Sequence, residues 1–169
     1  MEMHDQTRLD RIDISILAQL QKDSSLTNAA LAEKVNLSPS PCYIRVKRLE
    51  KSGYILGYSA TLNIAKIAGS LTIYSEVELD EHRKESFQRF EAAIRKYQDL
   101  QECCMVTGKI DYVLKFICKS VVEYQAIMDE LLQSDVGVAR FFTFFVTRTV
   151  FQRNGVELHS LLESGEGLK

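Results

Sequence analysis

The chain has 169 residues, of which 46% are hydrophobic and 26% are charged, and its formal net charge is −2 at pH 7. This length allows one domain or two small ones, and the composition is typical of a globular protein. The charge excludes a protein that is basic throughout its surface and coats nucleic acid, but it allows a locally basic DNA-reading element.

The sequence contains no signal for insertion into a membrane. No apolar run approaches the roughly 18 residues that a spanning helix needs. Residues 1–10 are polar and include acids, which is unlike a signal peptide. We therefore expect no membrane association and a cytoplasmic location.

The cysteines and histidines show no metal-binding spacing. The four cysteines are Cys42, Cys103, Cys104 and Cys118, with no C-x-x-C pair, and the three histidines are scattered. We expect no metal site, no cofactor and no disulfide framework. The cysteines should be reduced and packed as small apolar residues.

The first two predicted helices are defined by apolar periodicity and by their end signals. Apolar residues from Leu9 to Leu20 have helical spacing, and residues 7–10 fit a capping box that would start the first helix. Thr27 is a suitable N-cap for the second helix, and Asn36 can end it in a left-handed conformation.

The third helix begins and ends with strong local signals. Ser38 is a good N-cap, Pro39 suits the first helical position, and Gly53 is a C-cap signal. Residues 54–62 have a strand-like composition around Gly57, which predicts a small wing. Three short helices with a tight turn before the third, followed by a wing, predict a helix-turn-helix.

The rest of the chain predicts a β-α-β-β-α-β order. Residues 71–79 alternate apolar and polar side chains, as expected of a strand with one buried face. The further predicted strands are residues 100–107, 111–118 and 138–151, and the helices are residues 86–97 and 121–132. This order is that of the ferredoxin-like fold, with both helices on one face of a four-stranded antiparallel sheet.

The predicted fold class is therefore α+β with two domains. A winged helix-turn-helix domain takes residues 1–61, and residues 62–70 form a hinge. A ferredoxin-like effector-binding and oligomerisation domain takes residues 71–155, and residues 156–169 form a polar tail, of which residues 164–167 are expected to be disordered.

Aromatic residues on the last strand predict a homodimer. Phe141, Phe142, Phe144 and Phe145 point to both faces of the sheet because side chains alternate along a strand. One face packs on the helices, so the other requires a second cover. A second copy of the sheet is the natural cover, and the chain's own tail is the alternative.

The third helix is the most basic stretch of the chain. Its sequence predicts an inward stripe of Cys42, Val46 and Leu49 and an outward face of Pro41, Arg45 and Arg48, flanked by Tyr43 and Lys47. Arginine can bond to guanine edges or phosphates, and the exposed amides and hydroxyls of the first turn can bind phosphate oxygens. The candidate DNA-binding residues are Ser38, Ser40, Pro41, Tyr43, Arg45, Lys47 and Arg48. Replacing either arginine by alanine is expected to weaken DNA binding and to leave the fold intact.

Several segments in the same order resemble the Lrp/AsnC, or leucine-responsive, regulators. Residues 9–17 resemble the opening helix of that family, residues 31–50 its helix-turn-helix, and Gly53-Tyr54-Ile55 continues the match. Residues 106–112, Val-Thr-Gly-Lys-Ile-Asp-Tyr, resemble its G-x-x-D-Y turn. Residues 150–155 depart from the family's usual basic, Thr-rich, Pro-containing end.

The resemblance implies a transcriptional regulator that binds double-stranded DNA and assembles as dimers, often further to tetramers or octamers. It also implies an amino acid or related metabolite bound near the G-x-x-D-Y turn, where dimers meet, with Thr107, Gly108, Asp111 and Tyr112 as effector-site candidates. Asp111 can accept from an ammonium group, and Gly108 allows close approach of a backbone N–H. The alternative is that both residues only shape a turn.

Two other classes of function fit the sequence less well. A ligand-binding module whose helix-turn-helix contacts protein is disfavoured by the cations focused on the third helix. An enzyme is disfavoured because the sequence has no Walker, dinucleotide-binding, G-x-S-x-G or H-E-x-x-H motif. Cys103 and Cys104 have no neighbouring histidine in sequence, so we expect no catalytic activity.

Overall fold

The computed structural model describes residues 9–153 and 155–163 of the chain. It divides into two compact units. One runs to Thr61 and also includes the segment that begins at Phe151, and the other comprises Leu62–Val150. The N-terminal unit is therefore built from two separate pieces of the chain. Within the described residues, no helix is both long and apolar enough to cross a membrane.

The first piece of the N-terminal unit contains three helices: α1 (Arg11–Lys22), α2 (Asn28–Lys34) and α3 (Pro39–Lys51). Their apolar faces pack together around Ile16, Leu31 and Leu49, all nearly inaccessible to solvent. The N-cap of α1 is Asp10, whose carboxylate accepts from the Asp13 backbone N–H at 2.8 Å. In return, the Asp13 carboxylate accepts from the Asp10 backbone N–H at 3.1 Å. The capping box is thus three residues later than predicted, and Thr7 of the predicted box lies outside the described residues.

The turn between α2 and α3 follows the predicted signals. Thr27 caps α2 by accepting from the Ala30 backbone N–H. Asn36 is left-handed, with φ of 54°, and the Asn28 side chain donates to the Pro39 carbonyl at 2.8 Å. These contacts fix the start of α3 against α2.

The end of α3 also follows its prediction. Gly53 has φ of 74°, its N–H bonds to the Glu50 carbonyl, and the Tyr54 N–H bonds to the Leu49 carbonyl. These two bonds form a Schellman motif, which needs a residue that tolerates the left-handed conformation. Beyond it, residues 54–63 form no strand, so the prediction of a strand over residues 54–62 is wrong. The predicted hinge, residues 62–70, contains the short helix α4 (Ile64–Ile67).

The second unit has the predicted β-α-β-β-α-β order. The elements are β1 (Leu71–Leu79), α5 (Lys84–Ile94), β2 (Leu100–Met105), β3 (Tyr112–Cys118), α6 (Val121–Gln133) and β4 (Val138–Phe145). The strands are ordered β2-β3-β1-β4 and all neighbours are antiparallel. One face of this sheet packs on α5 and α6. The last strand ends six residues before the predicted boundary.

A chain of hydroxyl groups crosses the core of this unit. The Tyr124 hydroxyl on α6 lies 2.8 Å from the Ser75 hydroxyl on β1 and 2.7 Å from the Thr143 hydroxyl on β4. Ser75 is fully buried. Because buried polar groups are costly unless bonded, this network satisfies the polar atoms while joining helix and sheet.

The segment that begins at Phe151 was expected to divide into the end of the effector domain and a polar tail. By its packing it groups with the N-terminal unit, and it contains α7 (Leu158–Glu163). Its Val156 carbonyl accepts from the Gln21 side chain at 2.7 Å, and Gly155 lies so close to Gln21 that a Cβ would meet it at 2.7 Å. The predicted disordered residues 164–167 lie outside the described residues.

The cysteines divide into two kinds. Cys42 and Cys118 are buried, as predicted, whereas Cys103 and Cys104 are exposed on β2, so the packed position expected for this pair is wrong. β2 is an edge strand of the sheet and leaves these side chains uncovered in one copy of the chain.

Candidate DNA-reading helix and effector turn

A buried carboxylate on α1 binds two arginines of α3. The side chain of Asp13 has no exposed surface, and its two oxygens accept from Arg45, at 2.8 Å, and from Arg48. Arg45 also bonds to Asp10 at 2.7 Å. A buried ionised carboxylate is tolerated only when it is paired, so these contacts hold α3 against α1.

The electrostatics agree with this geometry. Hydrogen bonds to Asp10 and then to Asp13 raise the pKa of the Arg45 guanidinium above its ordinary value. Partial burial alone would raise the pKa of Asp10, but hydrogen bonds from the Asp13 backbone and from Arg45 outweigh it and lower that pKa. Both groups therefore stay charged across the physiological range.

The outermost face of α3 differs from the predicted one. Arg45 and Arg48 lean towards α1, with side chains 27% and 39% exposed. The residues that project furthest are those on the opposite side from Cys42 and Leu49, and all are exposed: Ser40, Tyr43, Ile44, Lys47 and Lys51. The sequence-based prediction omitted Ile44 and Lys51, although both lie at helical spacing from Ser40 and Lys47.

The first turn of α3 offers fewer backbone donors than expected. Ser38 occupies the N-cap position, but its side chain makes no cap hydrogen bond. Proline has no N–H, so Pro39 and Pro41 remove two of the orphan amides of this helix end. Ser40 retains the one N–H between them. The exposed hydroxyls of Ser38 and Ser40 are therefore the main neutral donors here.

Lys47 is held on the surface by an acid of the same helix. Its ammonium lies 2.7 Å from the Glu50 carboxylate and 5.7 Å from the centre of the Tyr43 ring. The other Glu50 oxygen accepts from the Tyr58 hydroxyl at 3.0 Å. The hydrogen bond to Glu50 raises the pKa of Lys47 above its ordinary value, so the lysine stays charged at neutral pH.

In the second unit, Asp111 fastens the turn between β2 and β3 to the end of β1. Its carboxylate accepts from the Leu79 backbone N–H at 2.8 Å and lies 3.0 Å from the His82 imidazole nitrogen. Its backbone bonds to the Val77 carbonyl and to the Val106 N–H. Both side-chain oxygens are thus engaged within the chain, which favours the turn-shaping alternative for this residue.

The other effector-site candidates divide between the interior and the surface. The Tyr112 ring is 1% exposed, and its hydroxyl donates to Glu91 at 3.0 Å. Burial, followed by this bond to Glu91, raises the pKa of Tyr112. Thr107 and Gly108 are exposed, and Gly108 has φ of 143° with open space where a Cβ would stand. Of the four candidates, Thr107 and Gly108 are therefore the two that present free surface to a ligand.

Two further surfaces could hold a partner. A cleft of about 1150 Å³ in the N-terminal unit is lined by the end of α1, by residues 54–61 and by the segment that includes Gln152 and Leu158. On the sheet face opposite α5 and α6, Tyr74, Phe142 and Phe144 are 38%, 47% and 51% exposed.

Among the described residues, no group of His, Cys, Asp and Glu could hold a metal ion.

Arg45 should matter for folding, contrary to the expectation that its replacement leaves the fold intact. We predict that Arg45→Ala lowers the free energy of unfolding by about 1–3 kcal/mol, because it leaves the buried Asp13 with one cation instead of two. The effect stays below that of a fully buried pair because Arg45 is itself partly exposed. Urea unfolding followed by circular dichroism measures it.

The matched control is Lys47→Ala, which removes one positive charge from the same helix but breaks only a surface pair. Its unfolding midpoint should equal that of the parent. Equal midpoints for Arg45→Ala and the parent would contradict a structural role for the arginine.

Two family models match the chain over these units. The model of winged helix-turn-helix DNA-binding domains matches residues 9–55, and that of the Lrp/AsnC ligand binding domain matches residues 72–156.

Similar proteins of known sequence are regulators. The transcriptional regulatory protein DoeX of Halomonas elongata is 46% identical over 143 residues, which cover 85% of this chain and 90% of DoeX. The leucine-responsive regulatory protein of Salmonella typhimurium is 40% identical over 146 residues, covering 86% of this chain and 89% of that protein.

The solved structures that resemble this chain are also those of transcriptional regulators. A transcriptional regulator of Neisseria meningitidis, crystallised as a complex with L-methionine, has a TM-score of 0.83 at 32% identity, covering 91% of this chain and 99% of that one. An AsnC family regulator of Agrobacterium tumefaciens has the same TM-score at 27% identity, covering 91% of this chain and 100% of that one. The chain therefore belongs to the Lrp/AsnC family of transcriptional regulators, with a winged helix-turn-helix DNA-binding domain followed by an Lrp/AsnC ligand-binding domain.

Proposed function

We propose that this regulator acts in the cytoplasm as a homodimer, or a larger assembly of dimers, whose DNA binding responds to an amino acid or a related catabolite. The observation that carries the effector class is the relative from Neisseria meningitidis, whose structure contains L-methionine and which matches this chain over almost its whole length. The chain acts by binding alone, without catalysing a reaction and without a cofactor.

We assign the DNA contacts to the exposed side of α3 and its first turn. Ser38 and Ser40 donate to phosphate oxygens, and Lys47 exchanges Glu50 for a phosphate. Arg48 has N–H groups beyond the one bonded to Asp13, and its 39% exposure lets them reach the DNA backbone. Arg45 is a positioning residue. Tyr43 and Pro41 complete the contact surface.

For the effector, we propose that the ligand lies against Thr107 and Gly108 and that a second copy of the chain closes the site. The open turn gives a carboxylate or ammonium access to backbone groups at Gly108. Asp111 and Tyr112 support the site from behind: one holds the turn on β1, and the other packs beneath it.

The dimer is proposed from the uncovered face of the sheet. Phe144 and Tyr74 are paired across β4 and β1, so their rings form one aromatic patch with Phe142. A patch of this kind in water favours burial against an equivalent surface. Glu78 and Arg140, joined by two hydrogen bonds of 2.7 and 3.0 Å, flank it as polar neighbours.

DNA binding by α3 should depend on Lys47 through charge. We predict that Lys47→Ala weakens binding to specific and nonspecific duplexes alike. The affinity falls as salt concentration rises, and the variant should make this fall less steep. The slope of log K against log salt concentration should change by about one for each recognition helix bound to DNA. Fluorescence anisotropy at several salt concentrations measures both effects.

The control for that experiment is Lys119→Ala, which removes an exposed lysine from the second unit. It should leave the slope unchanged. A Lys47→Ala slope equal to that of the parent would remove this lysine from the interface.

The effector is tested by a thermal-shift screen against the amino acids and their catabolites. A true ligand raises Tm by several degrees at about 100 times its Kd, because it binds only the folded chain. We predict that Gly108→Ala abolishes the shift, since φ of 143° disfavours any side chain at this turn.

Gly69→Ala is the matched control, because Gly69 has ordinary φ and open space around it. It should keep the ligand-induced shift. If no amino acid or catabolite raises Tm, the proposed effector class is wrong. If Gly108→Ala responds as the parent does, the site lies elsewhere.

The dimer is tested by Phe142→Asp combined with Phe144→Asp, which places two carboxylates on the aromatic patch. Multi-angle light scattering should show monomers, since unpaired charge is not tolerated in a buried interface. Val122→Asp changes a residue that is 73% exposed on α6 and should leave the assembly intact. A double variant of unchanged mass would show that copies associate through another surface.

A further inference from the structure

The exposed side of α3 contains an aliphatic residue that has no role in the phosphate contacts proposed for this helix. Ile44 is 65% exposed and lies in the N-terminal half of the helix, facing away from the buried Cys42. Ser40 and Lys47 stand one turn before and one turn after it on the same face. The side chain is thus placed between two residues that can contact phosphates.

We propose that Ile44 is a specificity-determining residue that reads the methyl group of thymine in the major groove. This inference rests on the assignment of α3 as the recognition helix. It predicts that the preferred operator has a T·A pair beneath the N-terminal half of α3, at the position that Ile44 reaches.

The chemistry of the groove supports this choice. Thymine is the base that presents a methyl group in the major groove, whereas the other base edges present hydrogen-bond donors and acceptors. Ile44 can neither donate nor accept a hydrogen bond through its side chain. Bringing it against guanine or cytosine edges would desolvate their polar atoms without offering new hydrogen bonds in exchange, which adds discrimination against those bases.

The geometry of the side chain also favours a reading role. A β-branched residue in a helix is almost confined to one χ1 rotamer, so the backbone fixes the directions of both Ile44 branches at Cβ and leaves only χ2 free. That backbone is itself held by Asp13 through Arg45 and Arg48 and by the Schellman motif at Gly53. Ile44 therefore gives up little conformational freedom when it meets the DNA.

The proposal is tested with DNA selected by the protein itself. A duplex is enriched from a random-sequence library by the full chain, and each thymine of its core is then replaced in turn by deoxyuridine, which lacks only the methyl group. We expect one or two thymine positions beneath each recognition helix at which uracil weakens binding by the parent protein. The Kd should rise about fourfold for each methyl group that is removed from contact with Ile44.

The Ile44→Ala variant separates recognition of the methyl group from an effect of uracil on DNA shape. It should bind the thymine and uracil duplexes equally at those positions, because the side chain that covers the methyl group is gone. Leu56→Ala, which shortens a side chain 97% exposed outside α3, should keep the discrimination of the parent.

The outcomes separate the proposed role of Ile44 from the assignment of α3 as the recognition helix. The role of Ile44 is overturned if the parent protein is insensitive to uracil at every position. It is also overturned if Ile44→Ala discriminates between thymine and uracil as the parent does. In both cases α3 remains the recognition helix. A chain that enriches no duplex overturns both.

Discussion

The arrangement of the DNA-binding unit depends on how one buried negative charge is neutralised. Asp13 lies on the apolar side of α1, in line with Ile16 and Leu20, where an unpaired carboxylate would oppose folding. Two arginines of α3 supply the compensating charge, and their length and planar geometry restrict where α3 can lie. Hydrophobic packing alone would allow α3 to slide or rotate along α1, whereas two hydrogen-bonded ion pairs to a fixed carboxylate favour one position.

This constraint divides α3 into sides with separate tasks. The side with Cys42 and Leu49 packs inward, the side with Arg45 and Arg48 binds α1, and the remaining side faces solvent. The basic composition of the helix therefore overstates the positive charge on its outward side. The outward side exposes Lys47, Lys51 and the hydroxyls of Ser38 and Ser40.

The sequence predicted features that local chemistry decides. Thr27, Asn36 and Gly53 end or begin helices because their own side chains or φ preferences do so, and alternation on β1 indicates a sheet with one buried face. Predictions failed where a distant residue decides. Residues 54–62 have strand composition but form no strand, and the segment after residue 150 packs on α1. The sequence-based prediction for Arg45 did not include its bond to Asp13, 32 residues away. The signal for that bond in the sequence is Asp13 itself, an acid within the apolar stripe of α1.

The placement of the segment after residue 150 has a consequence for how the chain can be divided. Because the segment after residue 150 belongs to the same unit as α1, and Val156 bonds to Gln21, the N-terminal unit receives its second piece only after the ferredoxin-like unit has been synthesised. The ferredoxin-like unit has all its strands and helices by residue 145, whereas the segment that packs on the end of α1 is synthesised after that point. The two units are therefore interleaved in sequence: removing the chain after residue 150 would take structure from the N-terminal unit and leave every strand and helix of the ferredoxin-like unit in place.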